Sequence, residues 1–266
     1  MSLRYYAGAL ISIPLLPLMY YQGKQIRSKV PQLPEAQGNQ GRVSIKETKS
    51  PTLKIITLGE STIAGVGVKT HEDGFSGTLA KELSKEFQVN INWKVYAKSG
   101  FTANRVTTDL IPQISENQID LIIVGLGGND AFTLNTPWKW KSDIRKLIQK
   151  LQSEFPDASI VFCNMPPIKE FPAFTKLIKF TLGNLVEILG DSLNQVVAEF
   201  DQVYYFGETI TLKGWIEKFD LEEEPSAFFS DGVHPSALTY QTWATEIARK
   251  IHSNKQLCTS LLKPNA

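Results

Sequence analysis

From Leu53 onward the chain alternates short, continuously apolar runs with longer stretches whose apolar residues recur every three or four positions. No other feature of the sequence constrains its fold as strongly. Lys54–Leu58 (KIITL) is a short β-rich run ending in Gly59, while Leu121–Val124 (LIIV) and Ser159–Cys163 (SIVFC) read as buried strands, LIIV as one covered on both faces. Asn90–Tyr96 places Ile91, Trp93 and Val95 on one face, and Val203–Phe206 is a further short strand. Between them, helical spacing runs through Gly74–Phe87, from about Thr102 to Ile114, and through Lys139–Phe155. Thr175–Phe200 is helical with expected interruptions near Gly183 and Gly190, and Ser236–His252 forms a last amphipathic helix. Such β-α-β-α order requires a mostly parallel sheet with helices on both faces, because each parallel crossover places its helix over the sheet. In sheets of this kind ligands sit outside the carboxyl ends of the strands.

The chain has 266 residues, 42% hydrophobic and 21% charged, an ordinary globular balance. With a net charge of +1 and scattered Lys and Arg, nothing supports a nucleic-acid partner. Cys163 and Cys258 are too isolated for a zinc site and are expected as free thiols; no cofactor is implied.

The N-terminus is different in kind. Tyr5–Tyr21 (YYAGALISIPLLPLMYY) carries no charge, follows Arg4, and precedes Lys24, Arg27 and Lys29. As a helix it would reach roughly 25 Å, with Pro14 and Pro17 as kinks. Paired tyrosines at both ends suit a membrane–water interface, and no small-residue cleavage site follows. The expectation is a retained membrane anchor, spanning or interfacial, over residues 1–29. Residues 30–52, rich in Pro, Gly, Gln and Lys, read as a linker. A single α/β domain then occupies 53–256, with a tail at 257–266.

Polar residues crowd the strand ends. The first strand runs into Gly59-Glu60-Ser61-Thr62, where the serine is either an exposed nucleophile or a helix cap. The stretch is not a phosphate loop, since Val68 precedes Lys69-Thr70, and Ile63 removes the second glycine of a G-x-S-x-G elbow. The next strand ends at Ser99-Gly100, and LIIV ends in Gly125-Leu126-Gly127-Gly128-Asn129-Asp130. Ser230-Asp231-Gly232-Val233-His234-Pro235-Ser236 precedes the last helix. A turn and a helix start account for Asp231, Pro235 and Ser236, but not for His234. The other two histidines, His71 in a polar loop and His252 on the last helix, read as surface residues.

Taken in order, Gly59-Glu60-Ser61, Gly100, Gly127-Gly128-Asn129-Asp130 and Asp231-Gly232-Val233-His234 resemble the four blocks of the SGNH (GDSL-like) hydrolases, over roughly Lys54 to His252. The resemblance implies a three-layer α/β/α sandwich of flavodoxin-like type. It also implies a serine esterase or lipase with Ser61, His234 and Asp231 as its triad and Ser61, Gly100 and Asn129 as oxyanion-hole donors. Glu60 departs from the aspartate usual in that family, which bears on subfamily more than on chemistry. The anchor points to acyl lipids as substrates, in the manner of a lysophospholipase or thioesterase. Carbohydrate O-acetyl esters are the alternative, as is a binding module that keeps the fold without catalysis. Aromatic residues in 206–229, and Trp138 and Trp140, either wall a pocket or cover the core.

Overall fold

The computed structural model describes residues 3–45, 50–222 and 224–262. Six strands form one sheet: β1 (Gln40–Val43), β2 (Thr52–Gly59), β3 (Asn90–Ala97), β4 (Leu121–Gly125), β5 (Ser159–Phe162) and β6 (Val203–Tyr205). Their order is β1-β3-β2-β4-β5-β6, and every pairing except β1–β3 is parallel. Without β1 this is the 2-1-3-4-5 order of flavodoxin-like sheets. The chain leaves β2 in one direction and crosses to β4 on the other side, so the crevice between those two strand ends is the switch point.

Ten α-helices are described: α1 (Leu3–Ser12), α2 (Leu16–Lys29), α3 (Phe75–Phe87), α4 (Ala103–Arg105), α5 (Gly128–Phe132), α6 (Pro137–Glu154), α7 (Lys176–Val197), α8 (Leu212–Phe219), α9 (Ala237–Ser253) and α10 (Lys255–Leu261). Alternation along β2 sends Ile56 and Leu58 to one face and Leu53 and Ile55 to the other. The first face packs Trp140, Ile144, Leu147 and Leu151 of α6 with Leu189 and Leu193 of α7. The second packs Phe75 and Leu79 of α3 with Tyr240, Trp243 and Ile247 of α9. The expected three-layer α/β/α sandwich is the observed architecture.

Helix ends follow local chemistry. Thr136 and Ser236 cap α6 and α9, their hydroxyls accepting from Lys139 N and Thr239 N, and Pro137 opens α6 where its missing N–H costs nothing. The expected interruptions at Gly183 and Gly190 do not occur, and α7 runs unbroken through both. These glycines make room instead: a Cβ at Gly183 would meet the Lys169 side chain at 2.5 Å, and one at Gly190 would meet Tyr205 Oη at 3.0 Å. The stretch from Thr102 to Ile114 is helical but irregular, passing from α4 through a π turn to a 3-10 turn.

The described part of 30–52 is not the free linker expected from its composition. Ala36 and Gln37 donate to Ala64 O and Lys69 O at 2.9 and 3.0 Å, and β1 adds an edge strand beside β3. Glu35 accepts from Ser99 N and pairs with Lys98. This packing covers His71, which is 4% exposed and not the surface residue expected. Burial pushes its imidazole down to about 4, against the opposing pull of Glu35. Residues 46–49 of that stretch lie outside the described residues, as do 1–2 of the N-terminal segment and 263–266 of the tail. The tail otherwise forms most of α10, packed through Leu257 and Leu261. Cys163 and Cys258 are free thiols.

In the N-terminal segment Pro14 and Pro17 open a 3-10 turn at Ile13–Leu15 and the first turn of α2. Among the described residues no helix is long and apolar enough to cross a membrane, so the spanning form of the expected anchor is not supported.

Candidate active site

Ser61 follows β2 directly and Asn129 lies in the first turn of α5 after β4, so the two flank the switch point of the sheet. Gly100 follows β3, the other neighbour of β2. The loop 230–235 comes from far along the chain and is stapled onto the turn that carries Ser61. Ser230 Oγ donates to Gly67 O at 3.0 Å, and Tyr240 Oη of α9 donates to Val66 O at 2.8 Å. The contact is too tight for a side chain at Gly67, where a Cβ would stand 2.3 Å from Pro235 O on a backbone already at φ +108.

Within that loop Asp231 grips His234 at three points. Its Oδ1 accepts from Val233 N and His234 N at 2.9 and 2.7 Å, and its Oδ2 meets His234 Nδ1 at 2.8 Å. The Asp231 side chain is fully buried, while the His234 ring is a quarter exposed. Burial raises the Asp231 carboxyl, but the bonds from the His234 ring and the two backbone N–H groups outweigh it and hold it below the ordinary value. The carboxylate is therefore ionised at neutral pH and fixes the ring tautomer with its proton on Nδ1. That leaves Nε2 without a proton and able to accept one.

Ser61 is partly exposed, and among the described residues its Oγ makes no hydrogen bond, to His234 or to any other group. Its backbone N–H and that of Gly100 also have no acceptor among the described residues. Gly100 is exposed, has φ +82, and a Cβ there would meet nothing within 4 Å.

Asn129 is differently placed from a free donor. Its Nδ2 donates to Glu60 Oε2 at 2.7 Å and to Phe101 O at 3.1 Å, so both amide hydrogens are engaged. Glu60 is the residue whose importance the sequence hid. It is 3% exposed, its Oε1 accepts from Gly128 N at 2.9 Å, and its Oε2 accepts from Asn129 N at 2.9 Å as well as from the amide. The carboxyl thus clasps the Ser61 block to the Asn129 block. Burial pushes it up to about 7, against the three N–H donors that favour its charge. A charged residue between an apolar strand and a serine was the available signal, since a carboxylate there must be paired once buried. The neighbouring Asp130 is fully buried and holds the same loop through Ala103 N and Asn135 Nδ2.

Beside this arrangement is a small apolar pocket of about 50 Å³. Met165, Phe171, Ile210, Phe229, Val233 and Trp243 line much of it, and Glu60 and Thr62 reach its edge. Of the aromatics singled out in the sequence, Phe228 and Trp140 are fully buried core residues, while Trp215 reaches the pocket and donates its Nε1–H to Glu246 at 2.7 Å. Trp138 is exposed.

The fold has many solved counterparts. TesA superposes with a TM-score of 0.57 at 18% identity, over 77% of this chain and 99% of its own. A putative GDSL-like lipase from Parabacteroides merdae gives 0.59 at 17% identity, over 76% and 96%. A family 3 carbohydrate esterase from Clostridium thermocellum gives 0.52 at 16%, over 76% and 100%. No curated protein sequence matches the chain. A sequence model of the GDSL-like Lipase/Acylhydrolase family matches residues 57–242, from within β2 into α9 and across all four polar blocks. The chain therefore belongs to the GDSL-like lipase/acylhydrolase family, as its ordered blocks imply.

Proposed function

We propose that the chain hydrolyses carboxylic esters with an apolar acyl group, using Ser61 as nucleophile, His234 as general base and Asp231 as the group that orients it. The observation that carries this reading is the three-point hold of Asp231 on His234, in a loop stapled to the Ser61 turn. His234 Nε2 takes the proton of Ser61 Oγ as the oxygen attacks the ester carbonyl, then returns it to the leaving alcohol. Water, activated by the same nitrogen, releases the acyl group from Ser61. The carbonyl oxygen gains charge in the first step. The Ser61 and Gly100 N–H groups supply its first donors, and Asn129 joins them by exchanging its longer bond to Phe101 O.

The pocket edged by Thr62 and Val233 supports an acyl ligand, since its walls are almost wholly aliphatic and aromatic. At about 50 Å³ it takes only the first few carbons, so a longer chain would continue along the surface. The same small size favours one other substrate, an acetyl ester on a carbohydrate. A panel of p-nitrophenyl esters of rising chain length, run beside acetylated sugars, separates the two. The proposal expects activity on the aryl esters to rise from acetyl to a short or medium chain and to vanish in Ser61→Ala. Activity confined to acetylated sugars would replace it with the second reading.

A further inference from the structure

The segment Leu3–Lys29 is apolar around its whole circumference over α1, the 3-10 turn and the start of α2, yet it covers only one of its faces. Residues at a regular three-to-four spacing, from Tyr5 and Ala9 through Ser12 and Leu16 to Met19 and Ile26, are buried or half-buried. This face lies along the domain. Arg4 pairs with Glu187 of α7, the Tyr5 ring packs edge-on against Trp138 at 5.5 Å, and Thr175 Oγ1 donates to Gln22 at 2.7 Å. The opposite face has no cover: Leu3, Leu10, Ile13 and Tyr20 are 83, 77, 61 and 78% exposed. A helix apolar on all sides is ordinarily buried on all sides.

Eight of the thirteen large hydrophobic side chains exposed among the described residues belong to this segment. Trp138 touches it, and Leu134 and Phe180 line an apolar groove of about 400 Å³ between the segment and α7. The surface reaches the candidate active site. Phe132, one turn beyond Asn129 on α5, is exposed and packs against Phe174, which packs against Phe171 of the acyl pocket. Charge identifies the occupant. Leu3–Lys29 has no acidic residue, and beside Arg4, which Glu187 already engages, it carries Lys24, Arg27 and Lys29; Lys176 and Lys179 open α7 beside it. A second copy laid on this face would oppose like charges, whereas an anionic lipid surface satisfies both the cations and the apolar face.

We propose that Leu3–Lys29 is an in-plane interfacial element, seated on α7, that docks the domain on anionic lipid with the acyl pocket's Phe132 edge toward the bilayer. Docking extends the function proposed above, but it does not depend on the triad.

The test is co-sedimentation of the full chain with vesicles of phosphatidylcholine alone or mixed with phosphatidylglycerol. The expected result is binding to the mixed vesicles and at least tenfold weaker binding to phosphatidylcholine alone. Leu10→Asp with Ile13→Asp should lower binding at least tenfold while leaving hydrolysis of p-nitrophenyl acetate and the circular dichroism spectrum unchanged. Leu10→Ser with Ile13→Ser, a milder pair, should fall between. Ser61→Ala should bind as the wild type does, so a failed catalytic assignment would not be mistaken for failed docking. Wild-type protein that ignores the mixed vesicles, or that sediments as a dimer separated by the same paired substitutions, would overturn the proposal.

Discussion

Glu60 offers the sharpest quantitative test of how the site is built. In the unfolded chain its carboxyl loses its proton near the ordinary 4.5, whereas in the folded protein burial pushes the same event up to about 7. Between those values the native state binds more protons than the unfolded state, so stability falls as pH rises. The contribution is complete below about 4.5 and gone above about 7. A shift of that size corresponds to about 3 kcal/mol. For a chain of this size it lowers Tm by roughly 6–12 °C across the window. Glu60→Gln cannot titrate and loses this slope. The amide can keep its oxygen toward Asn129, preserving two bonds, but its NH2 then faces Gly128 N–H, a mismatch of about 1–3 kcal/mol. Above pH 7 the two effects nearly cancel, so Tm of the variant stays close to that of the wild type, while at pH 5 the variant is the less stable. Because losing the bond from Gly128 N loosens the turn that leads into Asn129, kcat should fall by about tenfold with little change in KM, as for an interaction realised chiefly in the transition state. The assay is thermal unfolding of both proteins from pH 4.5 to 8, with ester hydrolysis at pH 8. Parallel Tm–pH curves would refute the reasoning, because Glu60 would then ionise alike in both states.

Other substitutions test the remaining parts. Asp231→Asn removes the charged acceptor that fixes the His234 tautomer and should lower kcat by about 10³–10⁴ with the fold retained. Its stabilising contribution is present above the ordinary carboxylate value and lost as pH falls through the depressed one, so unfolding curves of wild type and variant should converge in strong acid. Asn129→Ala should reduce kcat by about 10²–10³ and change KM much less; an equal effect on both would make Asn129 a loop support only. Gly67→Ala drives a Cβ into Pro235 O and should lower both Tm and kcat by spreading the His234 loop from Ser61, as calorimetry and p-nitrophenyl ester hydrolysis would register.

What the sequence made legible was set by periodicity and chemical type. Runs such as LIIV and IVFC are apolar because both faces of β4 and β5 are covered, and the end of LIIV located the Gly127–Asp130 block. His234 stood out because no turn or cap requires an imidazole. What the sequence hid depends on distant neighbours. β1 has a half-exposed edge pattern that cannot be told from a loop without its partner β3. Gly183 and Gly190 looked like helix breaks because their reason lies in Lys169 and Tyr205. Glu60 looked like a family variation because its three donors are almost seventy positions away. The N-terminal segment was legible as an uncharged apolar run with basic flanks, but not as one laid along α7, since Glu187 and Thr175 could be matched to Arg4 and Gln22 only in three dimensions.

The central claim is that Ser61 is a nucleophile activated by His234. The direct measurement is reaction of the folded chain with a fluorophosphonate, read by mass spectrometry of the peptide that carries the adduct. The account predicts a single adduct on Ser61, abolished in Ser61→Ala and slowed by orders of magnitude in His234→Ala. A folded chain that stays unlabelled, or one labelled at another residue with Ser61 untouched, would contradict it.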